Sequence, residues 1–288
     1  MKSFKISNNN GISVRLLSYA GIIQEINLPD KFGKTENVIL NYNDPEDYLD
    51  DKFFLGALIG RYANRINNSS FNINGIKYEL EQNEGLNHLH GGSNGFHKTE
   101  FIIENHSENS LTLSHLSKHL ECGYPGNLKV KVKYTISKNN IFDVEFFANS
   151  DQDTHFNPTI HPYFNLNPNN KTIVSHRLKI NSKNFLDVDK GFIPKGNFKN
   201  VDSTPFDFRS GKVIGVDLNK NDEQLNIAKG YDHCFILNKG QKIAAELSEL
   251  ETGRLIQIHT DQPGVQLYTG NHLSGVFSKN QGLCLEAQ

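Results

Sequence analysis

Leu128-Lys129-Val130-Lys131-Val132-Lys133-Tyr134-Thr135-Ile136 alternates apolar and polar side chains over a full strand length. After Ser137-Lys138-Asn139-Asn140, the run Ile141-Phe142-Asp143-Val144-Glu145-Phe146-Phe147-Ala148 follows with similar alternation. A period of two sends successive side chains to opposite faces, so the pair reads as a hairpin with one face buried. The same pattern recurs along the chain. Phe71-Asn72-Ile73 and Ile76-Lys77-Tyr78-Glu79-Leu80 flank the turn Asn74-Gly75, followed by Phe101-Ile102-Ile103-Glu104 and Leu111-Thr112-Leu113-Ser114-His115. Arg254-Leu255-Ile256-Gln257-Ile258-His259-Thr260 and Gly264-Val265-Gln266-Leu267-Tyr268-Thr269 lie near the C-terminus. Many short strands punctuated by Gly, Asn and Pro predict an all-β sandwich of antiparallel sheets. One or two short helical turns are expected at Asp44-Pro45-Glu46-Asp47-Tyr48-Leu49, where an N-cap aspartate precedes proline.

A chain of 288 residues buries a large core as one domain, and no linker divides it. The net charge of -2 and the lack of a long basic stripe argue against nucleic acid or an anionic membrane as partner. Met1 to Asn10 lacks the apolar core of a signal peptide, and no window approaches bilayer-spanning length, so a cytoplasmic protein is expected. Cys122, Cys234 and Cys284 have no close paired spacing, which argues against a disulfide framework or a zinc knuckle and predicts buried free thiols.

Two histidines sit in stiff contexts, His90 in Asn87-His88-Leu89-His90-Gly91-Gly92 and His161 in His161-Pro162-Tyr163-Phe164-Asn165-Leu166. If the first segment is extended, His88 and His90 share a face, either as metal ligands with His161 or Asp232, or with one donating hydrogen bonds to a hydroxylated ligand. Pro162 biases His161 to extended backbone, and Tyr163 and Phe164 could supply a flat wall for a sugar ring. In Gly60-Arg61-Tyr62-Ala63-Asn64-Arg65-Ile66 two guanidinium groups could grip vicinal hydroxyls or form surface ion pairs. Asp232 in Tyr231-Asp232-His233-Cys234-Phe235 reads as an acceptor for hydroxyls or as a turn carboxylate. Glu286 closes the apolar run Leu283-Cys284-Leu285-Glu286 and could complete an acid and base pair.

Taken in order, Gly60 to Ile66, Asn87 to Gly92, His161 to Leu166, Tyr231 to Phe235, Pro263 to Asn271 and Leu283 to Gln288 resemble the galactose mutarotase (aldose 1-epimerase) family across nearly the whole chain. The resemblance implies an antiparallel β-supersandwich with very little helix, spanning residues 1–288 as a single aldose 1-epimerase domain. It also implies no metal, no other cofactor, and interconversion of the α and β anomers of free aldoses such as galactose and glucose. Carried over by motif, the general acid is His161 and the general base Glu286. Asn64, Arg65, His90, Asp232 and Gln266 hold the substrate, with the motif pointing to His90 rather than His88. Ring opening removes a proton from the anomeric hydroxyl while another reaches the ring oxygen, so an ionised carboxylate and a protonated imidazole are wanted near pH 7. The chain stops two residues after Glu286, short of the further strands that members of this family usually carry. The rivals are a carbohydrate-binding protein without catalysis, a metal-dependent cupin-like sugar isomerase built on His88, His90 and His161, and a retaining glycosidase using Asp232 and Glu286.

Overall fold

A computed structural model gives the structure of residues 1–238, 240 and 242–288. Strands take 42% of it and helices 8%, which places the chain in the all-β class. The backbone divides into two compact units, residues 1–27 with 41–161 and residues 28–40 with 162–288.

In the first unit, Ile102–His106, Ser110–Ser117, Leu128–Ile136 and Phe142–Ser150 form one antiparallel sheet in that order. The alternation of the third strand is realised in full. Leu128, Val130, Val132, Tyr134 and Ile136 are buried, whereas Lys129 and Lys131 are exposed. Leu113 stands opposite Val132 and Leu111 opposite Tyr134, both completely buried. Burying an aliphatic side chain of this size contributes about 1.5–3 kcal/mol, so this row anchors the unit. Phe142–Ser150 departs from the expected hairpin with a buried face, because none of its residues is fully buried. It is the edge strand with a single neighbour, and Lys133 meets Glu145 across the pair at 3.2 Å.

Ser70–Ile73 and Ile76–Glu79 pair through Asn74-Gly75, both at positive φ as a tight type I′ turn requires. Asp44 caps a six-residue 3₁₀ turn, Pro45–Asp50, by accepting the Glu46 amide at 3.0 Å. The N-terminal strands Ser3–Ser7, Ser13–Leu17 and Ile23–Pro29 were not expected from periodicity. A bulge at Arg15 and Leu16 breaks their alternation, so Leu16 and Leu17 are both buried.

Among the described residues the second unit holds two sheets of four or more strands. Five strands run in the order Pro194–Asn200, Ser182–Val188, Asp232–Leu237, Gly264–Tyr268, Cys284–Ala287. Four others run Lys212–Val213, Arg177–Ile180, Ala245–Ser248, Leu255–Ile258. A short helix, Glu223–Ala228, escapes the sequence pattern because six residues are too few to show a helical period. Asp222 caps it by accepting the amides of Gln224 and Leu225. Among the described residues no helix is long and apolar enough to cross a membrane.

Arg61 resolves one ambiguity of the Gly60 to Ile66 segment. It is only 2% exposed, and its guanidinium donates to Ser117 Oγ and to the carbonyls of Ser117, Lys118, Pro125 and Gly126 at 2.7–2.9 Å. It is neither a surface ion pair nor a ligand grip. A planar fork with five N–H groups serves these acceptors, whereas an ammonium has three donors on one atom. Arg61→Lys is therefore expected to lose on the order of 3 kcal/mol in urea unfolding. Arg15→Lys, at a half-exposed ion pair with Glu25, should change stability by less than about 0.5 kcal/mol.

Candidate active site

In the first unit, Asn64 and His90 hold each other through the backbone. The Asn64 amide donates to His90 Nδ1 at 3.1 Å, and the His90 amide donates to the Asn64 carbonyl at 3.1 Å. A backbone N–H can only donate, so Nδ1 is the bare nitrogen and the neutral ring carries its proton on Nε2. His90 is thereby a hydrogen-bond donor with a fixed tautomer. Burial first, then the charges of His161 and Arg65, push its pKa well below the usual value.

The two histidines of the His-x-His pair do not share a face, contrary to the extended reading. Strand pairing ends at Leu89, and His90 turns to φ +53. His88 is fully buried, with Nδ1 2.8 Å from the Glu81 carbonyl and its ring edge-on to Tyr124. The His-x-His metal reading thus loses its geometric premise, and His88 is a structural residue. Gly91 is required by a close backbone approach: at φ +85, an added Cβ would lie 1.8 Å from the Gly60 carbonyl oxygen.

Arg65 is held by Glu84 in a bidentate pair, Nε at 2.6 Å and Nη2 at 2.7 Å, while Nη1 lies 3.4 Å from Asn64 Oδ1. Glu84 was not foreseen as its partner. His161 follows Thr159–Ile160, which pairs with Leu58–Ile59, and continues that ladder by donating to the Ala57 carbonyl at 3.0 Å. Its ring lies 5.6 Å from that of His90, at right angles. Burial pushes His161 down to about 4, so the free protein holds it neutral at pH 7 rather than protonated as expected. The structure thus gathers Asn64, Arg65, His90 and His161 in this unit. It adds Phe54, whose ring lies 4.8 Å from His90 and 5.9 Å from His161, and His97 behind Phe54 at 4.9 Å.

In the second unit, strand register assembles the rest. Asp232 stands opposite Tyr268, which stands opposite Cys284; Cys234 stands opposite Gln266, which stands opposite Glu286. Directly paired residues share a face, so Asp232, Cys234, Gln266, Tyr268, Cys284 and Glu286 all project from one side of the sheet. His233, Phe235, Val265, Leu267 and Leu285 fill the other side and are buried. Gln266 Nε2 donates to Asp232 Oδ1 at 2.6 Å, which fixes both side chains, and Glu286 is 3% exposed. Asp232 is thus a strand residue rather than a turn carboxylate. Burial pushes the Cys234 thiol up to about 12, and burial with the Glu286 and Asp232 charges pushes Cys284 well above its ordinary value. All three cysteines are free, but only Cys284 is fully buried.

Tyr163 and Phe164, expected as a wall for a sugar ring, are 2% and 7% exposed and serve as core. The half-buried aromatic of this sheet face is Tyr268, packed edge-on against Tyr163 at 5.9 Å, with its hydroxyl accepting the His272 amide at 3.0 Å. The signal for Tyr268 and Cys284 was available: each lies two residues from a candidate on the same strand. His233, next to Asp232, points away from that face, accepts the Asp232 amide at Nδ1 and donates from Nε2 to Gln224 Oε1.

The family model for aldose 1-epimerase matches residues 2–288. The aldose 1-epimerase of Escherichia coli K12 is 35% identical over 98% of this chain and 84% of its own length. Human galactose mutarotase is 37% identical over 96% of this chain and 82% of its own. Among solved structures, galactose 1-epimerase from Lactobacillus acidophilus superposes with a TM-score of 0.90 at 33% identity, covering 99% of this chain and 85% of that one. An aldose epimerase homologue from C. elegans gives 0.94 at 28% identity, covering 99% and 89%. The β-supersandwich of galactose mutarotase-like proteins is therefore the fold of this chain.

Burial lowers His97, His161 and His176 to about 4 and His233 to about 3, against 6.5 for an unburied imidazole. Between pH 6.5 and about 4 the unfolded chain binds more protons than the folded one, so stability is greatest above that window and falls as pH falls through it. Each histidine contributes on the order of 1 kcal/mol per pH unit. Urea midpoints should drop clearly from pH 7 to pH 5, and an equal or higher midpoint at pH 5 contradicts the buried neutral state.

Proposed function

Because the chain belongs to the aldose 1-epimerase family, we infer that it is an isomerase that interconverts the α and β anomers of free aldohexoses such as galactose and glucose by opening and reclosing the ring. The observation that carries the residue assignment is the register of the C-terminal sheet, which gives a buried carboxylate, Glu286, the same face as the paired hydroxyl-binding groups Asp232 and Gln266. In this reading Glu286 takes the proton of the anomeric hydroxyl and His161 delivers one to the ring oxygen. The bond between the anomeric carbon and the ring oxygen breaks, and an open-chain aldehyde forms. Rotation about C1–C2 and the reversed transfers close the ring on the other face, leaving both groups as they began. The His90 Nε2–H, the Asn64 side-chain Nδ2 and Arg65 donate to sugar hydroxyls, while Asp232 accepts from others and Gln266 accepts from or donates to them.

The ligand is a neutral free aldose, and the reading needs no metal or other cofactor. Residues 1–288 act as one aldose 1-epimerase domain, a view supported by the family match from residue 2 to 288. A cytoplasmic location belongs to the same proposal and is supported by the three free thiols, which a reducing compartment preserves.

Equilibration of freshly dissolved α-galactose or α-glucose, followed by polarimetry, tests the assignment. Glu286→Gln and His161→Asn should each lose roughly 10²–10⁴-fold in rate. Rates equal to wild type in both variants would end it. Since burial holds His161 neutral and the reaction uses its protonated form, kcat/KM should rise as the pH falls from 8 to 6, and this trend should vanish in His161→Asn.

A further inference from the structure

We propose that Phe54 is a positioning residue of this reaction, a ring held in place by its own turn to set the orientation of the His90 and His161 imidazoles. The proposal rests on the anomer-exchange reading and adds a residue to it. Three imidazoles surround one phenyl ring: His90 at 4.8 Å and 67°, His97 at 4.9 Å and 75°, and His161 at 5.9 Å and 46°. The contacts with His90 and His97 are edge-to-face and the one with His161 is tilted, and such ring packing restrains ring planes as well as distances. Orientation is what a proton donor to a sugar oxygen needs, because a displacement of about 1 Å in a reacting group can cost as much as 10²-fold.

The backbone under Phe54 is built for this placement. Phe54 has φ +58, the left-handed region that a bulky aromatic residue rarely enters. Asp51 holds the chain there, its carboxylate accepting the amides of Phe53 at 3.1 Å and Leu55 at 2.8 Å and the Tyr42 hydroxyl at 3.1 Å. The Phe54 carbonyl accepts the Ala57 amide, closing a turn, and Gly56 within it also has positive φ. The Gly56 amide then donates to the His161 carbonyl at 3.0 Å, and the His161 amide donates to the Ala57 carbonyl at 3.0 Å. The same turn therefore binds the His161 backbone and lays an aromatic ring beside its imidazole. His97 packs edge-on against the Phe54 ring and supports it there.

The test compares Phe54→Tyr, Phe54→Leu and Phe54→Ala by polarimetry and by NMR of the His90 and His161 ring protons in the sugar-free protein. Phe54→Tyr keeps the ring and should stay within about twofold of wild type. Phe54→Leu keeps much of the bulk without the ring face and should lose roughly tenfold in kcat, and Phe54→Ala on the order of 10²-fold. In both, the His90 and His161 resonances should move while thermal unfolding shows a folded protein at the assay temperature. Wild-type kcat and KM in Phe54→Leu, or activity loss that matches the unfolded fraction with unmoved imidazole resonances, overturns the proposal. Should wild type itself fail to speed anomer exchange, the functional reading falls while unmoved or moved resonances still decide whether Phe54 orients the imidazoles.

Discussion

The pairing of Gly264–Tyr268 between Asp232–Leu237 and Cys284–Ala287 is the constraint on which the arrangement of the C-terminal candidate residues depends. A slip of one residue in either ladder would turn Gln266 or Glu286 into the layer now filled by Leu267 and Leu285. The apolar layer prevents that slip. Burying Val265, Leu267, Phe235 and Leu285 on one side of the sheet is what forces the acid, the amide and the carboxylate onto the other. The one-sided grouping of these candidate residues is a by-product of hydrophobic sorting, with the Gln266 to Asp232 hydrogen bond as a local refinement.

The N-terminal unit reaches the same end by a different route. Its candidate site residues sit where strands stop: His90 one residue past a strand, His161 one residue past another, Asn64 just before a third. Asn64, His90 and Phe54 all have positive φ. Irregular backbone aims these groups, and hydrogen bonds between amides, carbonyls and ring nitrogens replace the ladder as the source of precision. Histidine suits this arrangement because a ring nitrogen that accepts a backbone amide leaves its proton on the other nitrogen.

These two routes explain what could be read from the sequence. Residues inside strands are legible: the period of two locates Leu128–Ile136 and Gly264–Tyr268, while Glu286 stands out as the carboxylate closing an apolar run and takes its role from the family motif. The six motifs, taken together, located the family. Periodicity does not supply the direction of a side chain at a strand end, which is why only an extended reading puts His88 and His90 on one face, and it is silent on the burial that holds His161 neutral. Arg61 and Arg65 look alike in sequence, yet one is sealed among carbonyls and the other is held by Glu84. Phe54 carried no signal at all, since nothing in Lys52-Phe53-Phe54-Leu55 marks which aromatic occupies a left-handed turn.

The approach of Gly91 to Gly60 reaches beyond this molecule to its variation. Every missense codon at position 91 encodes a residue with a carbon where the Gly60 oxygen already stands. Drift at this position is closed by steric exclusion, whichever sugar a descendant prefers. An invariant glycine there among diverging sequences would record the meeting of two main chains and would carry no information about the ligand.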